Sequence, residues 1–227
     1  MAANLTDFGP LWLSLQLALT VTLILLALGT PLAWWLSQTR SRVKPIIEAL
    51  TALPLVLPPT VLGFYFLILF NPQSFIGRSW LKVTGETLTF SFSGLVIASV
   101  IYSLPFMVQP LQTAFEDIKR ETLDAASILR AGPFDRFISV AAPLSLRGFV
   151  TACVLSFAHT LGEFGIVLMV GGNIPGQTKL VSIAIYEHVE TLQYAQAHKL
   201  SLTLIGFAFI TLLCVYIFNR RHPVKIG

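Results

Sequence analysis

Charged residues are scarce in this chain of 227 residues. Asp, Glu, Lys and Arg together make up 11% of the sequence, whereas hydrophobic residues make up 55%. Soluble domains carry roughly 25% charged residues, and the mean hydropathy of this chain is high, at +0.76. The composition excludes an ordinary soluble protein and predicts an integral membrane protein.

The sequence also lacks the residue groupings on which most enzymes depend. Its two cysteines, Cys153 and Cys214, lie inside apolar runs, which indicates packing rather than a disulfide framework. Residues 171–178 have the spacing of a phosphate-binding loop, but Gln177 replaces the lysine and an apolar span precedes them instead of a strand. The sequence shows no metal-ligand cluster and no nucleophile paired with a base. We therefore expect no catalytic, metal or nucleotide site and no cofactor bound by this chain.

Apolar segments long enough to cross a membrane occur five times. About 20 apolar residues span the hydrocarbon core as a helix. The first segment is too long for the core of a signal peptide and has only Asp7 before it as a charged residue. We predict an all-α, polytopic membrane protein with one domain over residues 1–227 and five transmembrane helices, at residues 11–36, 46–70, 94–115, 148–170 and 200–218.

Basic residues are divided unequally between the two sets of loops. Four lie on one side: Arg78, Lys82, Lys179 and Lys199. Eleven lie on the other: Arg40, Arg42, Lys44, Lys119, Arg120, Arg130, Arg136, Arg147, Arg220, Arg221 and Lys225. By the positive-inside rule, the N-terminus is expected outside and the C-terminus in the cytoplasm. Trp34 and Trp35 then suit the headgroup layer at the inner end of the first span. The net charge of +4 is explained by these loops and requires no nucleic-acid partner.

The longest polar interruption that keeps helical character is ETLDAASILRAGPFDRFISVAAP, at residues 121–143. One helix face carries small and apolar side chains at i, i+3, i+4 and i+7: Thr122, Ala125, Ala126 and Leu129. Such a stripe lets a partner approach closely. The pattern fits an amphipathic connector on the lipid surface and equally a docking element for another protein.

The same stretch contains signals for a second short helix. Gly132 predicts the end of the first helix, and Pro133 suits the first turn of the next. Pro143 is expected to close the stretch.

Three prolines interrupt the second predicted span. Pro54, Pro58 and Pro59 remove backbone donors and disfavour helix at the residues before them. A break at membrane depth must be buried in protein or face a water-filled path. The cluster therefore indicates a helix that lines a transport route, although single prolines are common in membrane helices.

The fourth predicted span holds the only close pair of ionisable residues inside a span, His159 and Glu163. Their i, i+4 spacing predicts that they share a helix face and pair, and intramembrane ionisable groups are usually functional. A pair that only stabilises the fold is the alternative. Gly162 and Gly165 permit close helix approach or a local opening. The following residues 180–198 are too short and polar to span, which predicts an interfacial or partly re-entrant helix.

Residues 124–143 resemble the coupling motif of importer-type ABC permeases, in which Glu-Ala-Ala is followed by Gly and later by Leu-Pro. The resemblance implies that a cytoplasmic loop, about residues 117–147, docks on a separate ATPase. Asp124 replaces the Glu, Arg130 stands at the usual Gly position and Ala142 precedes the proline; we expect Gly132 to take over as the turn. The implied coupling residues are Asp124, Ala125, Ala126, Leu129, Arg130, Gly132 and Pro143.

Four further strings, in order, resemble the molybdate permease family: LPLVLPPTVLG at 53–63, SLPFMVQP at 103–110, LGEFG at 161–165 and NIPGQT at 173–178. Membership implies a permease in a bacterial inner membrane that imports molybdate from a periplasmic oxyanion-binding protein, with ATP and Mg on the partner ATPase. Tungstate and sulfate, which are similar tetrahedral oxyanions, are alternatives. Because five helices make a small pathway alone, we expect a homodimer.

Within this interpretation, two further sets of residues receive roles. The pathway or gate set is Pro54, Pro58, Pro59, His159, Gly162, Glu163 and Gly165. The outer-loop set is Asn173, Pro175, Gly176 and Thr178. Glu163 would repel a dianion, so we expect it to hold a closed outer gate rather than bind substrate.

Two other classes of protein are alternatives. An ion-coupled carrier or channel would use Glu163 and His159 as a proton relay and need no ATPase. A membrane-bound enzyme would require a catalytic constellation that the sequence does not show.

Overall fold

The structure is a computed structural model that describes residues 8–221, without the side chains of residues 214, 215 and 218–221. Asp7 and Lys225, used above for topology, lie outside the described residues. The described chain is helical and contains no strand. Its helices are α1 Gly9–Gln38, α2 Lys44–Val56, α3 Pro59–Phe70, α4 Phe75–Thr84, α5 Phe92–Glu116, α6 Arg120–Ile128, α7 Pro133–Arg136, a π-helical turn Phe137–Ala141, α8 Ala142–Leu144, α9 Leu146–Gly162, α10 Gly165–Gly171, α11 Val181–Glu190 and α12 Tyr194–Arg221.

Between three and five spans are present among residues 8–221. Helices α1, α5 and α12 are each long and apolar enough to cross a membrane, and two bent helix pairs raise the number to five if each is one span. The helices α2 and α3 meet at 109°, and residues 133–144 meet α9 at 76°. The prediction of five spans corresponds to the upper count.

The fourth predicted span, residues 148–170, is not one helix. α9 ends at Gly162 and α10 begins at Gly165, and Glu163 between them has extended backbone angles, with φ −71° and ψ 142°. The prediction of one continuous helix over residues 148–170 is therefore wrong.

Proline chemistry explains where the second predicted span breaks. Leu57 and Pro58 are both extended, with ψ near 136°, because a residue that precedes proline avoids helical angles. Pro59 then opens α3, where its missing N–H costs nothing. Pro54 lies inside α2 without ending it, and α5 likewise runs through Pro105 and Pro110.

The main core lies where α1, α5 and α9 pack together. Leu25, Met107 and Leu111 are fully buried there, and Gly29 lets α1 approach α5 so closely that a Cβ would lie 2.8 Å from Met107 Cγ. At one end of this core the Trp34 ring contacts Phe115 and Phe137, with centroids 5.2 Å and 5.5 Å apart. These contacts attach the π-helical turn beyond α7 to the spans.

Large apolar surfaces remain uncovered on α2, α3 and α12. Only 6% of the apolar window of α12 is buried within the chain, and Val56 and Tyr65 are 80% and 62% exposed. Water would make such surfaces unfavourable. They are the surfaces that lipid or another protein can cover.

Candidate functional site

The two helix breaks lie against each other. A Cβ at Gly165 would lie 2.7 Å from Pro59 Cβ, and a Cβ at Gly63 would lie 2.8 Å from Met169 Cβ. α3 therefore packs closely on α10, and the first residues of the two helices meet. Glu163, at the break before α10, is buried, whereas Pro58, at the break before α3, is exposed within this chain. Only the break at Glu163 thus has, within one copy, the burial that a break at membrane depth requires. The structure brings together Pro59 and Gly165, two residues of the predicted pathway or gate set. Gly162 belongs to the same set, but a Cβ there would meet no described atom within 4 Å.

Glu163 is the buried acidic group of this site. Its side chain is 6% exposed, and its Oε2 accepts a 3.3 Å hydrogen bond from Ser99 Oγ on α5. Its Oε1 is buried without a hydrogen-bond partner among the described residues, while its backbone carbonyl accepts a 2.6 Å bond from Ser182 Oγ on α11. The break between α9 and α10 is thus tied to two other helices.

His159 has different partners from Glu163. Its Nδ1 lies 2.9 Å from Ser103 Oγ, its ring stacks on Phe106 with centroids 3.9 Å apart, and Ser103 Oγ lies 2.9 Å from Thr160 Oγ1. In the described part of the chain no hydrogen bond or ion pair joins His159 to Glu163. The predicted pair is wrong because i, i+4 side chains meet only on a continuous helix, and α9 stops at Gly162.

The sequence analysis missed the hydroxyl groups that hold these two residues. Ser99 and Ser103 are completely buried on α5. Their signal was available, since two serines four residues apart in an apolar span share one helix face. Ser182 gave no such signal, because its role depends on where α11 packs.

The predicted stripe on α6 is divided between two environments. Ala126 is 9% exposed and packs into the chain beside Leu123, which is 8% exposed. Thr122, Ala125 and Leu129 are exposed, and Leu129 is 83% exposed. Three of the four stripe residues are therefore free to contact a partner, and Ala126 instead holds α6 in place.

The turn after α6 is at Arg130, not at Gly132. Arg130 has a left-handed φ of +63°, and the Ala131 N–H donates to the Ala126 carbonyl while the Arg130 N–H donates to Ser127. These two bonds form the usual left-handed helix ending. Gly132 has φ −67° and ψ 167°, which any residue adopts. The prediction that Gly132 took over as the turn is wrong.

The structure also locates two other predicted coupling residues of this loop. Asp124 is exposed on α6. Pro143 lies within α8, and the chain turns into α9 two residues later, at Ser145.

The outer loop is held by its own side chains. Thr178 is fully buried; its Oγ1 donates 2.6 Å to the Gly171 carbonyl and accepts from the Ile174 N–H at 3.3 Å. Gly176 has φ +75°, a conformation that suits glycine. Asn173, Pro175 and Gly176 are exposed at the tip, so the predicted set comprises one anchor and three surface residues.

An ion pair missed by sequence analysis fixes this loop to α11. Lys179 Nζ lies 2.6 Å from Glu187 Oε2, and Asn173 Nδ2 donates to the same oxygen at 2.8 Å. The bond from Lys179, followed by that from Asn173, lowers the pKa of Glu187. The predicted single helix over residues 180–198 is two helices, because α11 ends at Glu190 and α12 begins at Tyr194.

The chain is similar to bacterial permeases over nearly its whole length. The family described as binding-protein-dependent transport system inner membrane component matches residues 9–222. The molybdenum transport system permease protein ModB of Azotobacter vinelandii is 54% identical, over 94% of this chain and 95% of that protein. ModB of Escherichia coli (strain K12) is 35% identical, over 92% and 93%. The sulfate transport system permease protein CysT of Synechocystis is 30% identical, over 89% and 71%.

A solved structure shows the same fold. A chain of a bacterial alginate ABC transporter, in complex with a periplasmic protein that binds alginate pentasaccharide, matches with a TM-score of 0.71. The match covers 93% of this chain and 79% of the other at 13% identity. The predicted helical permease fold is confirmed.

Proposed function

We propose that this chain carries molybdate across the membrane. The chain belongs to the family of binding-protein-dependent transport system inner membrane components. The main support for molybdate as the substrate is the 54% identity to a molybdenum transport permease over 94% of the chain. The sulfate permease is 30% identical, which favours molybdate over sulfate. Tungstate, with the same charge and shape, is the closest competing cargo.

The transport cycle requires partners on both sides of a bacterial inner membrane. A periplasmic oxyanion-binding protein would deliver cargo at the outer face, and an ATPase carrying ATP and Mg would dock on the cytoplasmic face. The N-terminus would lie outside and the C-terminus in the cytoplasm, as the loop charges indicate. The chain itself is a permease, and hydrolysis would belong to the ATPase.

The coupling surface would be the exposed stripe of α6, formed by Thr122, Ala125 and Leu129. Its small side chains permit close contact, and the buried Leu123 and Ala126 hold the helix against the chain. Force on α6 would reach the spans through the aromatic contacts of Phe137 with Trp34 and Phe115.

The route would lie between two copies of the chain and be closed by the paired helix breaks. The uncovered apolar faces of α2 and α3 suit a homodimer. Glu163 points into protein and not into a route, since it is 6% exposed. A carboxylate about 5 Å from a dianion would cost roughly 3 kcal/mol per pair of unit charges at an effective dielectric near 20, so Glu163 would stabilise the closed gate.

Uptake by reconstituted vesicles tests the proposal. The chain is reconstituted with its ATPase and loaded binding protein, and molybdate uptake is measured with and without ATP and against excess sulfate. ATP-dependent molybdate uptake that sulfate does not suppress is the expected result. Equal uptake of sulfate, or uptake that needs a proton gradient and no ATP, would contradict it.

A variant of the coupling surface tests ATPase docking in the same system. Leu129→Glu is expected to release the ATPase and abolish uptake, while the chain stays in the membrane. Val83→Glu on α4 is the matched control, because Val83 is 85% exposed and far in sequence from the coupling loop. ATPase retained by the Leu129 variant would refute this surface.

A further inference from the structure

A polar cavity of about 330 Å³ lies beside the coupling helix α6, on the face of α6 away from the exposed stripe. Its walls come from the end of α1 and the residues after it, from α6 and from α7. They are formed by Trp34, Gln38, Arg40, Arg120, Leu123, Asp124, Pro133 and Arg136. The volume is about ten times the ~30 Å³ that one water molecule occupies in the liquid, which is ample for a phosphate group.

The charges that line this cavity do not balance. Three guanidinium groups, of Arg40, Arg120 and Arg136, face one carboxylate, that of Asp124, which gives a formal charge of +2. The ion pairs of the described residues involve Lys44 and Lys179 and none of these arginines. Arginines from three separate segments therefore converge on one carboxylate, and none of them forms an ion pair with a described residue.

One nitrogen of Arg136 lacks a hydrogen-bond acceptor among the described residues. One terminal nitrogen donates a 2.9 Å hydrogen bond to Ser127 Oγ, but its Nε is buried and has no partner in the part of the chain that the structure describes. A buried donor without an acceptor is unfavourable. Guanidinium groups bind phosphate oxygens in paired, charge-assisted hydrogen bonds, which would satisfy this nitrogen.

The cavity adjoins the end of α1, a helix long and apolar enough to cross a membrane. Trp34 and Leu123 give it apolar walls beside the arginines. Basic pockets next to membrane helices suit anionic headgroups. We propose that this cavity binds a phosphate group, carried by an anionic phospholipid or present as the free ion.

A bound phosphate would connect α6 to the end of α1. Arg120 belongs to α6 and Arg40 follows α1, so one ligand contacting both would fix the orientation of the coupling helix. Thr122, Ala125 and Leu129 lie on a different face of α6 and would stay free for the ATPase. The cavity would thus make coupling sensitive to the anionic lipid content of the membrane.

Thermal unfolding of the full chain in detergent tests this site without cargo or ATPase, so its failure would leave the proposed transport function untouched. One arm adds phosphatidylglycerol, with phosphatidylcholine as the reference lipid. The other arm adds sodium phosphate, with sodium chloride at equal ionic strength. Stabilisation by phosphatidylglycerol alone assigns the phosphate to a lipid, and stabilisation in both arms assigns the site to phosphate from either source.

Matched variants test whether the phosphate group binds in this cavity. Arg40→Ala is expected to weaken binding about tenfold, whereas Arg42→Ala, which makes the same change at an exposed residue that does not line the cavity, leaves it unchanged. Asp124→Asn should strengthen binding severalfold, a gain that misfolding cannot imitate. Stabilisation in neither arm, equal losses at Arg40 and Arg42, or no gain at Asp124 would overturn the proposal.

Discussion

Ser99 on α5 donates a 3.3 Å hydrogen bond to Glu163, at the point where α9 has ended and α10 has not begun. The bond connects a continuous span to the break in another. Because the second carboxylate oxygen of Glu163 is buried without a partner, Ser99 is the side chain that holds this group.

The Ser99–Glu163 link is expected to keep the gate closed. Glu163→Gln should raise basal ATP hydrolysis and lower the uptake per ATP hydrolysed. Ser99→Ala should do the same, since leaving a buried polar group without its hydrogen-bond partner costs roughly 1–3 kcal/mol. Both rates are measured in vesicles, with and without loaded binding protein.

A double variant distinguishes the link from two unrelated effects. If Ser99 and Glu163 act through their mutual bond, the combined variant should be little worse than either single one. Additive losses, or normal coupling in Glu163→Gln, would show that the carboxylate has no gating role.

The contact between the helix breaks depends on the absence of a side chain at Gly165. Gly165→Ala would place a Cβ 2.7 Å from Pro59 Cβ, and such overpacking costs roughly 1–3 kcal/mol. Gly162→Ala is the control, because its Cβ would meet nothing within 4 Å. We expect a lower unfolding temperature for the first variant only; equal temperatures would mean that the breaks do not touch.

Arg130, which follows α6, has a left-handed backbone. We therefore expect substitutions there to rank unusually in their effect on stability. Arg130→Gly should be neutral or stabilising by less than about 1 kcal/mol, since glycine adopts φ +63° without strain. Arg130→Val should destabilise by about 1–2 kcal/mol. Gly132→Ala should change little, because its φ of −67° is ordinary and its surroundings are open. Amide exchange of α6 measures these effects, and greater sensitivity at Gly132 than at Arg130 would reverse the assignment of the turn.

The outer loop should lose its attachment to α11 in acid. Lys179, followed by Asn173, lowers the pKa of Glu187, so the stabilisation is complete above the unfolded pKa of about 4.3 and is lost as pH falls through the lower folded value. Because the Glu187 side chain is 39% exposed, solvent screening limits the effect to below about 1 kcal/mol.

Comparison with Glu187→Gln isolates this effect. The unmodified chain should unfold at a higher temperature than the variant at neutral pH, and the difference should shrink as pH falls below about 4.3 and vanish below the lower pKa of folded Glu187. A difference that persists unchanged in more acid solution would mean that the ion pair is not its cause.

The sequence alone determined the membrane class, the three continuous apolar spans α1, α5 and α12, and the break before Pro59. These features depend on composition and on the backbone chemistry of proline, which act locally and need no partner. The break at Glu163 was missed because Gly162 and Gly165 permit a break without requiring one. The turn after α6 was predicted at Gly132 on the assumption that a glycine would adopt the left-handed angle. Arg130 adopts that angle instead.

Only the tertiary structure decided which side chains meet. Glu163 contacts Ser99, 64 residues away, instead of His159, four residues earlier, because α9 ends between His159 and Glu163. Packing likewise chose which face of α6 is buried, and it brought Arg40, Arg120 and Arg136 around one cavity. Helical periodicity specifies the faces of a helix, but contacts between distant segments arise only when close packing selects which of those faces touch.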